Sequence, residues 1–221
     1  MAIALVQTAS KTAGSVNTST LAFPGNVTAG SLLVAYVYKG DVASVLGASD
    51  GPNGAYHNDV SLGFSGSSGG IFTVANAAGG ATTVTFTGTG IGSLQCVLEE
   101  WSGVATSTPL DKTQSATFST SSAPTSGATA TTSQANELVL GLVAMDTGQA
   151  VTPGTGYTLG TNANAFHEMQ EYRIVSSSNM QTANFTLGAA DSGVALVATY
   201  KDIVPGVSSR GGVQELLGVG S

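Results

Sequence analysis

The sequence predicts an all-β protein, an antiparallel two-sheet sandwich with a jelly-roll-like succession of strands. Three observations support this. Short β-type runs fill the chain, and Gly, Asn, Asp and Ser separate them. Patterns of helical period are nearly absent. Apolar residues make up 42% of the 221, which is enough to build a core, whereas only 9% are charged, about a third of the usual share.

Thirteen segments have the composition and length of strands. The long run 31–39 is apolar on both faces, as is typical of a central buried strand. A turn cluster is predicted at 50–54, a Gly/Ser loop at 65–70 and a long connection at 119–133. The predicted strands are 3–8, 20–23, 31–39, 42–46, 60–64, 71–75, 82–87, 94–101, 110–118, 137–145, 167–175, 182–187 and 194–200.

Two parts of the chain resemble each other. Residues 28–37 align with 134–143, and residues 84–101 align with 183–200, which pairs Trp101 with Tyr200. We therefore predict one β-sandwich domain over residues 1–201, built from two similar β units at about 28–101 and 134–201. Each unit has an apolar face, and two such faces packed together form a sandwich.

Residues 202–221 differ from the rest and are predicted to be a C-terminal extension. Pro205 ends the last strand, and the Gly-rich residues after it cannot form a core of their own. We expect this tail to contact a neighbouring subunit, with folding back onto its own domain as the alternative. The candidate contact residues are Arg210, Val213, Leu216 and Leu217.

The charge pattern limits the partners. The net charge is −7, and the six Lys and Arg are scattered along the chain. Nucleic acid binding requires clustered cations, so nucleic acid is not an expected partner. An anionic membrane surface is not expected for the same reason. No apolar stretch is long enough to span a membrane, and the N-terminal residues lack the pattern of a secretory signal.

No catalytic constellation is apparent, and we expect neither an enzyme nor a cofactor. His57 and His167 belong to no metal-spaced pair and are interpreted as structural or surface residues. The G-x-S-x-G match at 66–70 precedes a strand rather than a helix, so it is not a nucleophile elbow. Glu99 and Glu100 should point to opposite faces of their strand and cannot act on one bond.

Three weaker signals have ordinary interpretations. Oxygen ligands at Asp50, Asn53, Asn58 and Asp59 leave calcium open, although these residue types are also the usual turn formers. Cys96, the single cysteine, is interpreted as a buried small apolar residue. The aromatic side chains, among them Tyr36, Tyr38 and Trp101, are assigned to the core, with sugar stacking as the alternative.

The succession of strands at 31–39, 71–75, 82–87 and 94–101, followed by Glu100-Trp-Ser-Gly-Val104 and Pro109-Leu-Asp111, resembles β-sandwich proteins of tailed-phage virions. The resemblance spans most of residues 1–201 and implies a capsid decoration or cement protein. Such a protein is assembled in the host cytoplasm, released by lysis, and bound to the major capsid protein and to copies of itself. The resemblance implies no catalytic residues for this chain.

Two other classes of function remain open. A carbohydrate-binding or adhesin module, such as a phage tail or fibre component, would require an exposed aromatic cluster and perhaps calcium. A hydrolase with a scattered site would require a deep pocket that holds His57 or His167 beside a carboxylate.

Overall fold

A computed structural model describes residues 2–160 and 167–203 of the chain. Within these residues it contains strands and no helix. The strands are β1 Ala4–Thr12, β2 Thr18–Ala22, β3 Leu32–Lys39, β4 Leu46–Asp50, β5 Gly54–Ala55, β6 His57–Phe64, β7 Ser67–Val74, β8 Thr83–Gly88, β9 Leu94–Ser102, β10 Leu110–Ser121, β11 Asn136–Met145, β12 Val151–Pro153, β13 Thr158–Leu159, β14 Glu168–Ser176, β15 Phe185–Leu187 and β16 Asp191–Lys201.

The strands form antiparallel sheets that pack against each other, which confirms the predicted all-β sandwich. There are more layers than the two expected. Two five-stranded sheets have the orders β1-β9-β3-β7-β6 and β10-β16-β11-β14-β13, and two smaller sheets have the orders β2-β8-β4-β5 and β12-β15. Apolar side chains of the two five-stranded sheets share one core cluster, so these sheets pack face to face. Each has a small sheet over its other face.

The two central strands show why three apolar layers form. In β3, Leu32, Val34 and Tyr36 face the other five-stranded sheet. The residues between them face the small sheet of the first half. β11 alternates in the same way. Because side chains alternate across a strand, a run that is apolar at every position must be covered on both faces.

The two five-stranded sheets have equivalent strand orders. β3 and β11 hold the central position of their sheets, and β9 and β16 lie beside them. These are the strands that contain the two pairs of aligned sequence segments. Next to β15, Ser122 O accepts a hydrogen bond from Leu187 N at 2.8 Å, and Pro124 O accepts one from Phe185 N at 3.0 Å. This segment lies beside β15 as β2 lies beside β8 in the first half.

Two local predictions were wrong. Residues 42–45 form an exposed loop, and the strand begins at Leu46. The expected Gly/Ser loop at 65–70 is largely strand, since β7 begins at Ser67. Its glycines fit a crowded place: a Cβ on Gly69 would lie 2.9 Å from the Ala144 Cβ of the facing sheet. Glycine therefore marks a close approach of two sheets there, not a loop.

The apolar layer between the five-stranded sheets also buries carboxyl groups. Glu99 on β9 is 1% exposed, and its Oε2 accepts hydrogen bonds from Tyr36 Oη at 2.9 Å and Trp101 Nε1 at 2.8 Å. The Trp101 ring meets Tyr172 of the facing sheet edge-on, with the ring centroids 4.9 Å apart. Burial raises the pKa of Glu99 to about 7, against the lowering effect of these two hydrogen bonds, and raises the pKa of the buried Glu168 to about 8.

These carboxyl groups should make the protein less stable as the pH rises. Between the unfolded pKa of about 4.5 and the folded values of about 7 and 8, the folded chain keeps protons that the unfolded chain has lost. Each group then lowers the free energy of unfolding by up to about 1.4 kcal/mol per pH unit. Urea denaturation should therefore show lower stability at pH 8 than at pH 5.

The variant Glu99→Gln tests the contribution of one group. Its amide oxygen can accept both hydrogen bonds from Tyr36 and Trp101 but does not titrate. The decline in stability between pH 5 and pH 7 should be shallower than in the parent protein. An unchanged slope would show that Glu99 ionises in the folded protein as easily as in water.

Candidate functional site

Two surfaces stand out, and they lie at opposite ends of the strands. The pairing of β3 with β7 sets Leu33 opposite Val74 at one end and Lys39 opposite Ser68 at the other. His57 pairs with Thr73, next to Val74, so it lies at the first end. The loops that follow Lys39 lie at the second end.

At the second end, the buried side chain of Lys39 links two loops. Its Nζ donates hydrogen bonds to Val16 O at 2.8 Å and to Gly92 O at 2.9 Å. Lys39 is 0% exposed, and desolvation lowers its pKa. A buried ammonium is tolerated where its hydrogens find acceptors, so these carbonyls fix its position.

Asp41 links two loops at the same end of the strands, the one that contains Ala43 and the one that contains Ile91. Its Oδ1 accepts a hydrogen bond from Ala43 N, and its Oδ2 accepts one from Ile91 N, both at 3.1 Å. These backbone hydrogen bonds lower the pKa of Asp41. Val45 N also donates to Thr89 Oγ1 at 2.9 Å. The loops at residues 13–17, 40–45 and 89–93 are therefore held together by hydrogen bonds before any partner binds.

Apolar side chains project from these tied loops. Ile91 is 82% exposed and Val45 is 72% exposed, which is unusual for large apolar residues. Val42 and Val16 are also exposed. We call these four residues, Val16, Val42, Val45 and Ile91, the apolar tip. An apolar surface on preorganised loops is typical of a contact site for another macromolecule.

At the first end, His57 is paired with a carboxylate. His57 Nδ1 lies 2.6 Å from Asp59 Oδ1, with the imidazole 73% exposed and the carboxylate 1% exposed. Asp59 Oδ2 accepts hydrogen bonds from Tyr200 Oη at 2.6 Å and from Thr73 Oγ1 at 2.7 Å. His57 is thus a surface residue, as expected, but it is held by a buried network that the sequence did not indicate.

The pair lines a cleft of about 370 Å³. Apolar side chains of Ala75, Pro109 and Leu110 form part of its wall, and Thr73 and Thr108 add hydroxyl groups. A histidine beside a carboxylate in a cleft is the arrangement that the hydrolase alternative requires. The other histidine, His167, lies elsewhere: its ring stacks on Tyr38 with the centroids 5.3 Å apart.

Glu99 and Glu100 do not form a catalytic pair of carboxylates. Glu99 faces the layer between the five-stranded sheets. Glu100 points to the other side and accepts hydrogen bonds from Ser31 Oγ and Thr28 N, both at 2.8 Å. The alternation predicted for these neighbours is confirmed. Glu171 is likewise engaged, since it accepts hydrogen bonds from Gly154 N at 2.7 Å and Asn184 N at 2.9 Å.

The four calcium candidates do not converge. Asp50 accepts hydrogen bonds from Asn53 N at 2.6 Å and from Tyr56 Oη at 2.7 Å, and so it closes the turn. Asn58 instead donates to Ser61 Oγ at 2.9 Å, and Asp59 holds His57. No group of three or more His, Cys, Asp or Glu side chains positioned to hold a metal ion occurs in the described part of the chain.

Tyr36, Tyr38, Trp101 and Cys96 lie in the core, as the first interpretation expected. Tyr36, Tyr38 and Trp101 are each at most 2% exposed, so they form no sugar platform. Across residues 2–160 and 167–203, no Phe, Tyr or Trp side chain is exposed. Cys96 is buried in the apolar layer beneath the small sheet, and burial raises the pKa of its thiol.

The tail residues predicted to contact a partner, Arg210, Val213, Leu216 and Leu217, lie outside the described residues. Among the residues described, no helix is long and apolar enough to cross a membrane. No protein-family model, no curated protein and no solved structure matches this chain. No relative therefore lends it a function.

The variant Lys39→Met tests whether the buried ammonium organises the apolar tip. It removes two hydrogen bonds from a charged donor and leaves the carbonyls of Val16 and Gly92 without it, which should lower the free energy of unfolding by about 2 kcal/mol. Hydrogen exchange of the amides of Ile91 and Leu94 should become faster, because the loops lose a tie.

Lys11→Met is the matched control. Lys11 lies at an exposed position and makes one hydrogen bond, to Thr20 O at 3.1 Å. Its replacement should change the free energy of unfolding by less than about 0.5 kcal/mol. Equal effects of the two variants would mean that Lys39 has no special part in holding the loops.

Proposed function

We propose that this chain is a structural protein of a bacteriophage virion, of the capsid decoration or cement type, and that it acts by contact. The observation that carries the proposal is the apolar tip on tied loops. Burying each exposed apolar side chain of the tip in a partner would contribute on the order of 1 kcal/mol. Many copies that bind one symmetric shell would add such weak contacts through multivalency.

The composition supports the same function. Few residues are charged, and the surface is rich in hydroxyl groups. Three apolar layers in the described part give a rigid body whose loops can be placed accurately against a shell. The partners would be the major capsid protein and other copies of the chain. Contact of this kind requires no cofactor.

A carbohydrate-binding module, as in a phage tail or fibre, is the alternative. It receives less support, because the aromatic rings of the described residues are in the core or partly covered. Sugar binding without aromatic stacking would have to depend on hydroxyl and amide groups. A glycan array separates the two functions, since a decoration protein should give no selective signal on it.

The first test is whether the protein is part of a particle. Lysates of cells that express the phage genes around this one are banded on a density gradient, and the protein is sought in the fractions by mass spectrometry. Under the proposal it bands with the particles at a fixed ratio to the major capsid protein. Recovery only in the soluble fractions would contradict the proposal.

The second test addresses the apolar tip. The variants Val45→Asp and Ile91→Asp place a charge on exposed positions, so they should fold normally and bind particles that lack the protein at least tenfold more weakly. Met180→Asp is the control, because Met180 is 63% exposed but lies outside the tip. Equal binding by all three variants would show that the tip is not the contact surface.

A further inference from the structure

The pairing of His57 with Asp59 fixes the state of the imidazole. A carboxylate oxygen can only accept, so the 2.6 Å contact to Asp59 Oδ1 assigns a proton to His57 Nδ1. In the neutral ring, Nε2 then carries a lone pair. The imidazole is 73% exposed and lines the cleft, so a molecule bound there can reach the ring.

Asp59 is held so that it cannot turn away. Its second oxygen accepts hydrogen bonds from Thr73 on the neighbouring strand and from Tyr200 on the facing sheet. Burial and Asp59 itself raise the pKa of Tyr200 well above its ordinary value, which keeps the hydroxyl a donor. Two donors from different parts of the fold therefore position one carboxylate, and the carboxylate positions the imidazole.

The backbone is irregular at this place. The register of β6 with β7 shifts between Asn58 and Val60, so Asp59 is the extra residue of a β-bulge. Bulges redirect a side chain and are frequent beside active sites. Here the bulge turns Asp59 inward, toward Tyr200, while His57 stays at the surface.

A second irregularity of the backbone lies in the wall of the same cleft. Thr108 has a φ of 46°, in the left-handed region that β-branched residues avoid. Such a conformation costs on the order of 1 to 3 kcal/mol and persists only where the surrounding structure imposes it. Thr108, Pro109 and Leu110 line the same cleft as His57 and Asp59.

Stability alone does not account for the pair. An ion pair with one exposed partner contributes about 0 to 1 kcal/mol, whereas a buried carboxylate is costly unless it is fully hydrogen-bonded. What the arrangement provides is a largely exposed imidazole, hydrogen-bonded through Nδ1, that lines a cleft.

We propose that His57 and Asp59 form an acid–base site that hydrolyses small uncharged esters bound in this cleft. The substrate class follows from the walls: Ala75, Pro109 and Leu110 suit a short acyl chain, and none of the described residues that line the cleft is a Lys or Arg that could hold an anion. This activity goes beyond the contact function and does not depend on it.

The reaction proceeds in two proton transfers. His57 Nε2 takes a proton from a water molecule as the water oxygen bonds to the acyl carbon. The imidazolium then gives that proton to the alcohol oxygen as the bond between this oxygen and the acyl carbon breaks. The products are a carboxylic acid and an alcohol, and His57 returns to its first state. Asp59 acts as a positioning residue, because it keeps the proton on Nδ1 and stabilises the imidazolium.

The test is steady-state hydrolysis of p-nitrophenyl acetate and butyrate by the full chain at pH 7 to 8. Free imidazole also hydrolyses such esters, so 4-methylimidazole at the same concentration is the reference. The proposal requires kcat/KM at least 100-fold above the rate constant of the reference, with saturation by butyrate. A value below that threshold overturns the proposal.

Variants locate the activity. His57→Ala should abolish the excess rate, and it should fold, because the side chain is largely exposed. His167→Ala is the control and should keep full activity, since the ring of His167 stacks on Tyr38 and does not line the cleft. Activity that survives His57→Ala, or that His167→Ala removes, overturns the assignment.

Asp59→Asn tests the positioning role. The amide oxygen can still accept from Tyr200 and Thr73, but the amide nitrogen would donate to Nδ1 and so move the ring proton to Nε2. We expect kcat to fall at least 100-fold with KM changed less than twofold, and urea denaturation to show a folded protein. An unchanged kcat in folded Asp59→Asn would rule out this role for Asp59.

Discussion

The contact between the two five-stranded sheets is the constraint on which the rest of the structure depends. Its apolar layer includes Trp101 packed edge-on against Tyr172 and Glu99 hydrogen-bonded to Tyr36 and Trp101. Each sheet carries a small sheet on its other face, so a change in this layer would move every outer element. A buried carboxyl group there adds direction to an otherwise non-directional contact, because its hydrogen bonds are satisfied in one arrangement of the strands.

Both candidate surfaces depend on that layer. Tyr200 belongs to its apolar core and at the same time holds Asp59, so the facing sheet completes the network behind His57. At the other end, Lys39 continues the central strand β3 and ties the loops of the apolar tip. The two surfaces are therefore fixed to the same rigid body, and neither is a free loop.

The sequence was sufficient for the fold class and for the central strands, because apolar runs such as 31–39 must be buried on both faces. It was insufficient for the number of sheets, since the small sheets are built from short, polar segments. Composition also misled at Gly69, where glycine reflects the nearness of Ala144 rather than a loop. In the structure, β3 and β11 hold equivalent positions of their sheets, and so do β9 and β16. These strands contain the aligned segments from which the sequence predicted two similar units.

The site at His57 could not be read from the sequence, and the reason is physical. His57 and Asp59 are two residues apart, a spacing that in a regular strand puts both on one face and gives no reason to expect one exposed and one buried. Asp59 is the extra residue of the bulge between Asn58 and Val60, so the regular alternation does not apply to it. Tyr200, 141 residues further along the chain, supplies the donor that makes a buried carboxylate tolerable. Only the packing of the second half against the first brings that hydroxyl to Asp59, so the pair is a product of the tertiary structure.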